Sequence, residues 1–91
     1  MFYCYILQSI PTKKLYIGFT PDLKERLKSH NNGENKATKP YIPYELIYYS
    51  AFKSKEDALS CEKYFKTTSG WKRIHQMLKE TLKAENLTLI Q

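Results

Sequence analysis

The sequence predicts an α+β fold, a three-stranded and mainly antiparallel sheet flanked by helices in the order β-β-α-β-α-α. Aromatic and aliphatic runs at 2–7 and 15–19 with a proline-containing break between them are typical of a β-hairpin. A third run at 45–52 predicts another strand. Helix-start signals and apolar residues at helical spacing follow the second and third runs, so helices should pack on the sheet.

The three predicted helices have recognisable ends. The first begins within 20–22, with the threonine as N-cap and the proline in the first helical position, and ends at the Asn-Asn-Gly of 31–33. The second runs over 54–67, starting from a serine cap. Gly70 should separate it from a last amphipathic helix over about 71–85.

The chain length and its charge narrow the classes of function. Ninety-one residues fit a single domain over 1–91. The 15 basic residues outnumber the 9 acidic ones and give a net charge of +6. This excess favours a polyanionic partner, such as DNA, RNA or a membrane surface. The alternative is a protein that merely carries surplus lysine.

Several other classes of protein are disfavoured. No apolar run approaches the roughly 18 residues that a membrane span needs, and the N-terminus lacks the basic region of a secretory signal. We therefore expect a cytoplasmic protein with no membrane partner. Cys4 and Cys61 are too few and too far apart for a disulfide framework or a zinc site, and we expect both to be reduced core residues.

Two polar residues lie beside the apolar stripe of the first predicted helix. Leu23 and Leu27 define that stripe, and Arg26 and His30, four residues apart, fall next to it rather than with the charges that face water. A guanidinium at the inner border needs an acceptor, because burying an unpaired charge is costly. The alternative is that Arg26 extends to the surface and His30 caps the end of the helix.

An acidic residue falls on the apolar face of the second predicted helix. Glu62 lies among Ala58, Cys61 and Phe65. A carboxylate that points at the sheet needs a cation, which could be Arg26, a lysine or a metal ion. A structural ion pair is the alternative interpretation.

The hairpin is expected to place two tyrosines together. A turn centred between Ile10 and Pro11 puts Tyr5 opposite Tyr16, with both phenols on one face of the sheet. Gly18 removes a side chain from that face and leaves room for a ligand. Both tyrosines could instead be ordinary packing residues. The predicted pocket contains Tyr5, Tyr16, Arg26, His30 and Glu62.

These residues form an ordered pattern. The sequence Tyr-Ile-Gly at 16–18, with Tyr5 before it and Arg26 and His30 after it, resembles the GIY-YIG nuclease superfamily. The resemblance covers about 2–75. It is greatest to small single-domain bacterial members related to the N-terminal nuclease domain of the excision-repair subunit UvrC, which implies a role in DNA repair. Only the tyrosine of the first family motif is retained, and the asparagine that some members carry after the metal-ligand helix has no counterpart here.

The resemblance implies a divalent-metal-dependent DNA endonuclease. It implies Glu62 as the metal ligand, Arg26 on the scissile phosphate, and a tyrosine that helps to deprotonate the attacking water. Mg²⁺ is usually held by one or two carboxylates together with phosphate and water, so a single inward-facing acid suits a single-metal mechanism, with Mn²⁺ as a substitute. We expect Tyr16 to be the base and Tyr5 its hydrogen-bonding neighbour, while His30 orients Tyr16 or shuttles a proton.

The expected partner is DNA, with no small-molecule cofactor. The candidate nucleic-acid contacts are Gly18, Lys24, Lys28, Lys36, Thr38 and Lys66. One alternative is a nucleic-acid-binding module on the same fold with little or no cleavage activity. Another is a basic interaction protein that binds its partner through a tyrosine-rich surface of Tyr41, Tyr44, Tyr48 and Tyr49.

Overall fold

The computed structural model describes residues 1–83 and 87–90, and its elements confirm the predicted class and order. The strands are β1 (Phe2–Ser9), β2 (Leu15–Thr20) and β3 (Tyr44–Phe52). The helices are α1 (Leu23–Asn31), α2 (Lys55–Phe65), α3 (Thr68–Met77) and the short α4 (Lys79–Leu82), with a 3₁₀ turn at Lys39–Tyr41 before β3.

The sheet is antiparallel with strand order β2-β1-β3, and helices cover both of its faces. The central strand β1 therefore contributes to two cores. Cys4 and Ile6 pack with residues of α2 and α3 on one face. Tyr5 and Leu7 pack with residues of α1 on the other face. The alternation of side chains along β1 thus decides which helix each residue meets.

The predicted register of the hairpin is wrong by two residues. Tyr5 pairs with Gly18, and Tyr16 pairs with Leu7. The reason is the longer loop, which Ser9 closes by donating its N–H to the Lys14 carbonyl over 2.9 Å. A shift of two residues keeps every side chain on its face. Both phenols consequently share one face of the sheet as predicted, but diagonally instead of directly opposite, and that face is the one covered by α1.

Helix α1 begins after Asp22 and not after Thr20. The carboxylate of Asp22 accepts the N–H of Glu25 over 3.1 Å, which makes it the N-cap. Thr20 is the buried last residue of β2, and its hydroxyl bonds the backbone of Asp22. The predicted stop is confirmed, since Gly33 follows the helix with a positive φ of 74°.

The junction between α2 and α3 differs from the expectation. Ser54 caps α2 as predicted, but the helix ends at Phe65. Gly70 does not separate two helices, because α3 already begins at Thr68. A Cβ at Gly70 would lie 1.8 Å from the Tyr64 carbonyl oxygen, so the absence of a side chain allows the two helices to meet.

The last predicted helix is divided. It starts earlier than expected and ends at Met77, because the backbone leaves helical geometry at Leu78 before α4. The predicted end near Glu85 lies outside the described residues. Further on, Leu89 forms a parallel bridge with Leu15 and covers the start of β2.

Two sequence-level expectations concern the whole chain. Both cysteines are free, with Cys4 buried and Cys61 half-buried. Over the described ranges, no helix combines the length and the apolar character that crossing a membrane requires.

Candidate active site

A buried row of hydrogen bonds connects β1, α1 and the loop after α1. The Tyr5 hydroxyl lies 2.9 Å from Nε2 of His30, and Nδ1 of His30 lies 2.9 Å from the Thr38 hydroxyl. All three side chains are at most 1% exposed. His30 therefore belongs to the interior, as its helical position indicates, and it does not cap the end of the helix.

Gly18 explains how the Tyr5 ring reaches this position. A Cβ on Gly18 would lie 2.5 Å from the Tyr5 hydroxyl oxygen and 2.9 Å from the Tyr16 ring. The space that the glycine leaves is thus filled by Tyr5 and holds no room for a ligand there. As a result the phenol of the central strand extends over the outer strand β2.

Tyr16 is the more accessible of the two tyrosines. It is half-buried, and its ring centroid lies 4.9 Å from that of His30 and 6.2 Å from that of Tyr5. The hydroxyl of Tyr5 bonds to His30, so the predicted hydrogen bond between the two phenols is replaced by ring contacts.

Arg26 is exposed, which differs from the predicted position at the inner border of α1. It pairs with no carboxylate in the part of the chain that the structure describes. It lies one helical turn before His30. Lys24 lies on the other flank of α1, where it lines a groove with Leu27 and Leu46. The guanidinium is therefore available to an anionic ligand.

Glu62 is only partly buried, with 23% of its side chain exposed. One of its carboxylate oxygens accepts a hydrogen bond from Nζ of Lys66 over 2.9 Å. The expected cation is thus a lysine four residues along the chain, at the C-cap of α2, and Arg26 is not the partner. The carboxylate is not an uncompensated charge in the core, because the helix turns it towards the edge of the apolar face.

The chemistry of a metal site here is limited to one carboxylate. Residues 1–83 and 87–90 contain no group of three or more His, Cys, Asp or Glu side chains that could hold an ion. Mg²⁺ binds oxygen ligands and commonly keeps several waters beside one or two carboxylates and substrate phosphate. The partly exposed carboxylate of Glu62 fits that mode of binding, with water and phosphate completing the ligands.

Charged residues on both α1 and α2 affect the pKa of Tyr5. Helices α1 and α2 cover opposite faces of the sheet. Burial raises the pKa of Tyr5 well above its ordinary value, Tyr16 and Glu62 raise the pKa further, and Arg26 lowers it. Charges on helices from both faces of the sheet, Arg26 on α1 and Glu62 on α2, therefore influence the pKa of Tyr5.

His30 is neutral at physiological pH. Burial, with a contribution from the positive charge of Arg26, lowers the pKa of His30 from 6.5 to about 4. A neutral imidazole can orient the Tyr5 hydroxyl. The alternative role of proton shuttle is disfavoured, because the protonated ring would carry a buried charge next to Arg26.

The low pKa of His30 predicts a loss of stability in acid. Between pH 6.5 and 4 the unfolded chain binds a proton at this residue and the folded chain does not. We expect the free energy of unfolding to fall by roughly 3 kcal/mol over this window from His30. Urea unfolding of the wild type and of His30→Gln at both ends of the window measures it. An equal pH dependence in the two proteins would contradict the assignment.

The candidate nucleic-acid contacts divide by exposure. The four lysines among these candidates are all exposed: Lys24, Lys28, Lys36 and Lys66. Gly18 is buried beneath Tyr5. Thr38 is also buried, with 0% of the residue exposed, so its hydroxyl cannot reach a phosphate as predicted. Thr38 is buried because the loop after α1 folds back under that helix.

Tyr44 and Asn31 support the site, and the sequence analysis did not assign them this role. The Tyr44 hydroxyl donates to the Thr38 carbonyl over 2.7 Å, and burial raises the pKa of Tyr44 to about 12. The side chain of Asn31 accepts the Tyr44 N–H over 2.7 Å and donates to the Tyr44 carbonyl. The sequence signal for this role of Asn31 was its place at the end of α1, because asparagine side chains commonly form hydrogen bonds to backbone groups.

The proposed tyrosine-rich surface does not form a patch. Tyr44 is buried, Tyr41 and Tyr48 are half-buried, and Tyr49 alone of the four is exposed. This distribution disfavours a protein partner that binds through these rings.

Comparison with known proteins identifies the family of the chain. The GIY-YIG catalytic domain matches residues 1–75. A UPF0213 protein of Streptococcus pyogenes serotype M3 is 48% identical over 65 residues, which are 70% of each chain. A UPF0213 protein from serotype M5 of that species has the same identity and coverage.

A solved structure is also similar. The solution NMR structure of a UPF0213 protein from Bacillus halodurans has 28% sequence identity and a TM-score of 0.53, and the match covers 97% of this chain and 99% of that one. The family match spans every element from β1 to β3 and α2 and reaches residue 75 in α3, so it includes all the residues of the candidate site. The chain belongs to the GIY-YIG family.

Proposed function

We propose that the protein is a divalent-metal-dependent DNA endonuclease that hydrolyses phosphodiester bonds with one metal ion. The observation that carries the proposal is the cluster in which half-exposed Tyr16 packs against the hydrogen-bonded pair of Tyr5 and His30, with exposed Arg26 one helical turn before His30. An accessible cation can stabilise charge on a phosphate, a carboxylate can hold a divalent metal ion, and a phenol can accept a proton from water, which together suit phosphodiester hydrolysis. The family is that of a catalytic domain, which supports a nuclease role.

Glu62 is the residue that would hold the metal ion. A bound Mg²⁺ supplies Lewis-acid stabilisation of the phosphoryl oxygens and makes coordinated water more acidic. The chain itself must release the carboxylate from Lys66, whose ammonium group occupies one of its oxygens. A pair between partly exposed groups one helical turn apart costs little to break.

Arg26 would bind the scissile phosphate. Negative charge on the phosphoryl oxygens must be stabilised as the attacking oxygen approaches, and a guanidinium that is already in place does this without reorganisation. Its exposure and its lack of a carboxylate partner among the described residues leave its donors free for that contact.

Tyr16 would assist the deprotonation of the attacking water. It is half-exposed, whereas Tyr5 is 1% exposed and its hydroxyl bonds to His30. Phenols are largely protonated at neutral pH, and nearby positive charge favours the phenolate. Tyr5 and His30 then hold the ring of Tyr16 in place by packing against it.

A nucleic-acid-binding module without cleavage is the second candidate. The ion pair between Glu62 and Lys66 favours it, because the lysine competes with a metal ion for the carboxylate. The two candidates differ in what they do to DNA when Mg²⁺ is present.

Incubation with supercoiled plasmid and with branched DNA tests the proposal. We expect strand cleavage with Mg²⁺ or Mn²⁺ and none with EDTA. Binding of the DNA without cleavage under both conditions would select the second candidate. Comparison of single-stranded, flap, nicked and duplex substrates then identifies the preferred DNA structure.

DNA binding should weaken steeply with salt. Each lysine–phosphate contact on duplex DNA contributes a slope of about −0.9 to the plot of log affinity against log salt concentration. Fluorescence anisotropy in EDTA measures this slope without cleavage. The Lys36→Gln variant removes one exposed cation and should reduce the slope by about 0.9 if Lys36 contacts a phosphate. An affinity independent of salt would show that the basic surface does not bind DNA.

A further inference from the structure

We propose that Thr38 is a positioning residue of the proposed nuclease site, where its hydroxyl selects the tautomer of His30 that holds the Tyr5 hydroxyl. This inference rests on the proposed function for its catalytic consequence. The hydrogen bonds themselves are independent of that function.

A second contact of the Thr38 hydroxyl gives its bond to His30 a direction. We assign the single hydrogen of the Thr38 hydroxyl to the carbonyl oxygen of Asn35, which lies 3.4 Å away. A carbonyl oxygen can only accept, so the hydroxyl oxygen is left to accept from Nδ1 of His30 over 2.9 Å. Nδ1 therefore carries the ring proton.

The neutral imidazole of His30 also gives its bond to Tyr5 a direction. A neutral ring has one N–H and one lone pair. With the proton on Nδ1, the lone pair is on Nε2 and accepts the hydroxyl hydrogen of Tyr5 over 2.9 Å. The phenolic hydrogen of Tyr5 is thereby directed at His30, and its oxygen lone pairs are left for other donors.

The backbone of Thr38 is held in place by its own hydrogen bonds. Its carbonyl accepts the hydroxyl of Tyr44 over 2.7 Å, and its N–H bonds to Asn35. Tyr44 is in turn held by the side chain of Asn31 at the end of α1. The hydroxyl of Thr38 is thus fixed relative to the helix that carries His30. Because Thr38 is fully buried, its hydroxyl contacts only groups within the fold, the Asn35 carbonyl and the His30 ring.

The paired variants Thr38→Val and Thr38→Ser test the inference. Valine has the shape of threonine without the hydroxyl, and serine retains the hydroxyl without the methyl group. Nitrogen-15 NMR of the histidine rings in the full chain identifies the protonated nitrogen of His30, and single-turnover cleavage of branched DNA with Mg²⁺ measures the rate.

We expect the proton on Nδ1 in the wild type and in Thr38→Ser. Thr38→Val should lose this preference and should cleave about tenfold more slowly at saturating DNA, with little change in KM, because one buried hydrogen bond is lost. Serine should restore the rate. A wild-type proton on Nε2, or a valine variant with unchanged tautomer and rate, would overturn the inference. If the wild type does not cleave DNA, the proposed function fails, and the NMR measurement still decides the role of Thr38.

Discussion

Replacing Arg26 by alanine is expected to reduce the rate of DNA cleavage by about 10²–10³-fold, the loss found when one charge-stabilising donor is removed from a transition state. The affinity for DNA should change little, because the phosphate that Arg26 contacts is one of many on the DNA backbone. The structure strengthens this expectation, since the guanidinium is exposed and pairs with no carboxylate among the described residues. Single-turnover cleavage and anisotropy in EDTA measure the two effects separately.

Lys24→Ala is the matched control for Arg26→Ala. Lys24 is an exposed cation on the same helix, two residues earlier, and it lines the groove on the other flank of α1. We expect this variant to cleave at close to the wild-type rate. Equal rates in the two variants would assign Arg26 to the general basic surface and remove it from the site.

Glu62→Gln is expected to abolish metal-dependent cleavage while the protein stays folded. Glutamine retains the shape of the side chain and loses the charge that attracts a divalent cation. The lost pair with Lys66 joins partly exposed residues, with side-chain exposures of 23% and 42%. Its loss should therefore change the free energy of unfolding in EDTA by less than about 1 kcal/mol. Plasmid cleavage and the melting temperature, each with and without Mg²⁺, provide the measurements.

The melting temperature gives the second signature of this variant. A ligand that binds the folded state raises the stability of that state. Mg²⁺ should therefore raise the melting temperature of the wild type and of Glu56→Gln, a control that neutralises an exposed carboxylate in the first turn of α2. It should not raise that of Glu62→Gln. Retained cleavage in Glu62→Gln would exclude this carboxylate as the metal ligand.

The sequence predicted the architecture because periodicity and caps are local signals. The run of aromatic and aliphatic residues in β1, the serine cap of α2 and Gly33 each act through their immediate neighbours in the chain. The same local logic placed both phenols on one face, because an error of two residues in register leaves the faces of the strands unchanged.

The errors concern features that depend on distant parts of the chain. A hairpin register is set by the length of the loop. In this loop Lys13 has a positive φ of 66°, a conformation that is usual for glycine or asparagine and that a lysine does not signal in the sequence. A helical wheel predicts the direction in which Arg26 and Glu62 point from their helices. It does not predict how far the neighbouring sheet extends to cover them. Both side chains consequently reach more solvent than predicted.

Thr38 shows the limit of sequence reasoning most clearly. It lies in a polar segment without helical or strand periodicity, which is typical of a solvated loop. The segment instead folds under α1, where His30 and the Tyr44 hydroxyl supply its partners. Burial of a loop threonine by contacts to residues on two different elements carries no signal in the local sequence.

We propose that Arg26 and Glu62, carried by helices on opposite faces of the sheet, act on one scissile phosphate. Single-turnover cleavage of end-labelled branched DNA with Mg²⁺ by the wild type, Arg26→Ala, Glu62→Gln and the double variant tests whether they share a site. Residues that act as a unit show strongly non-additive effects. We predict that the double variant is about as slow as the slower single variant. Losses that multiply in the double variant, or a wild-type protein that does not cleave, would contradict a single shared site.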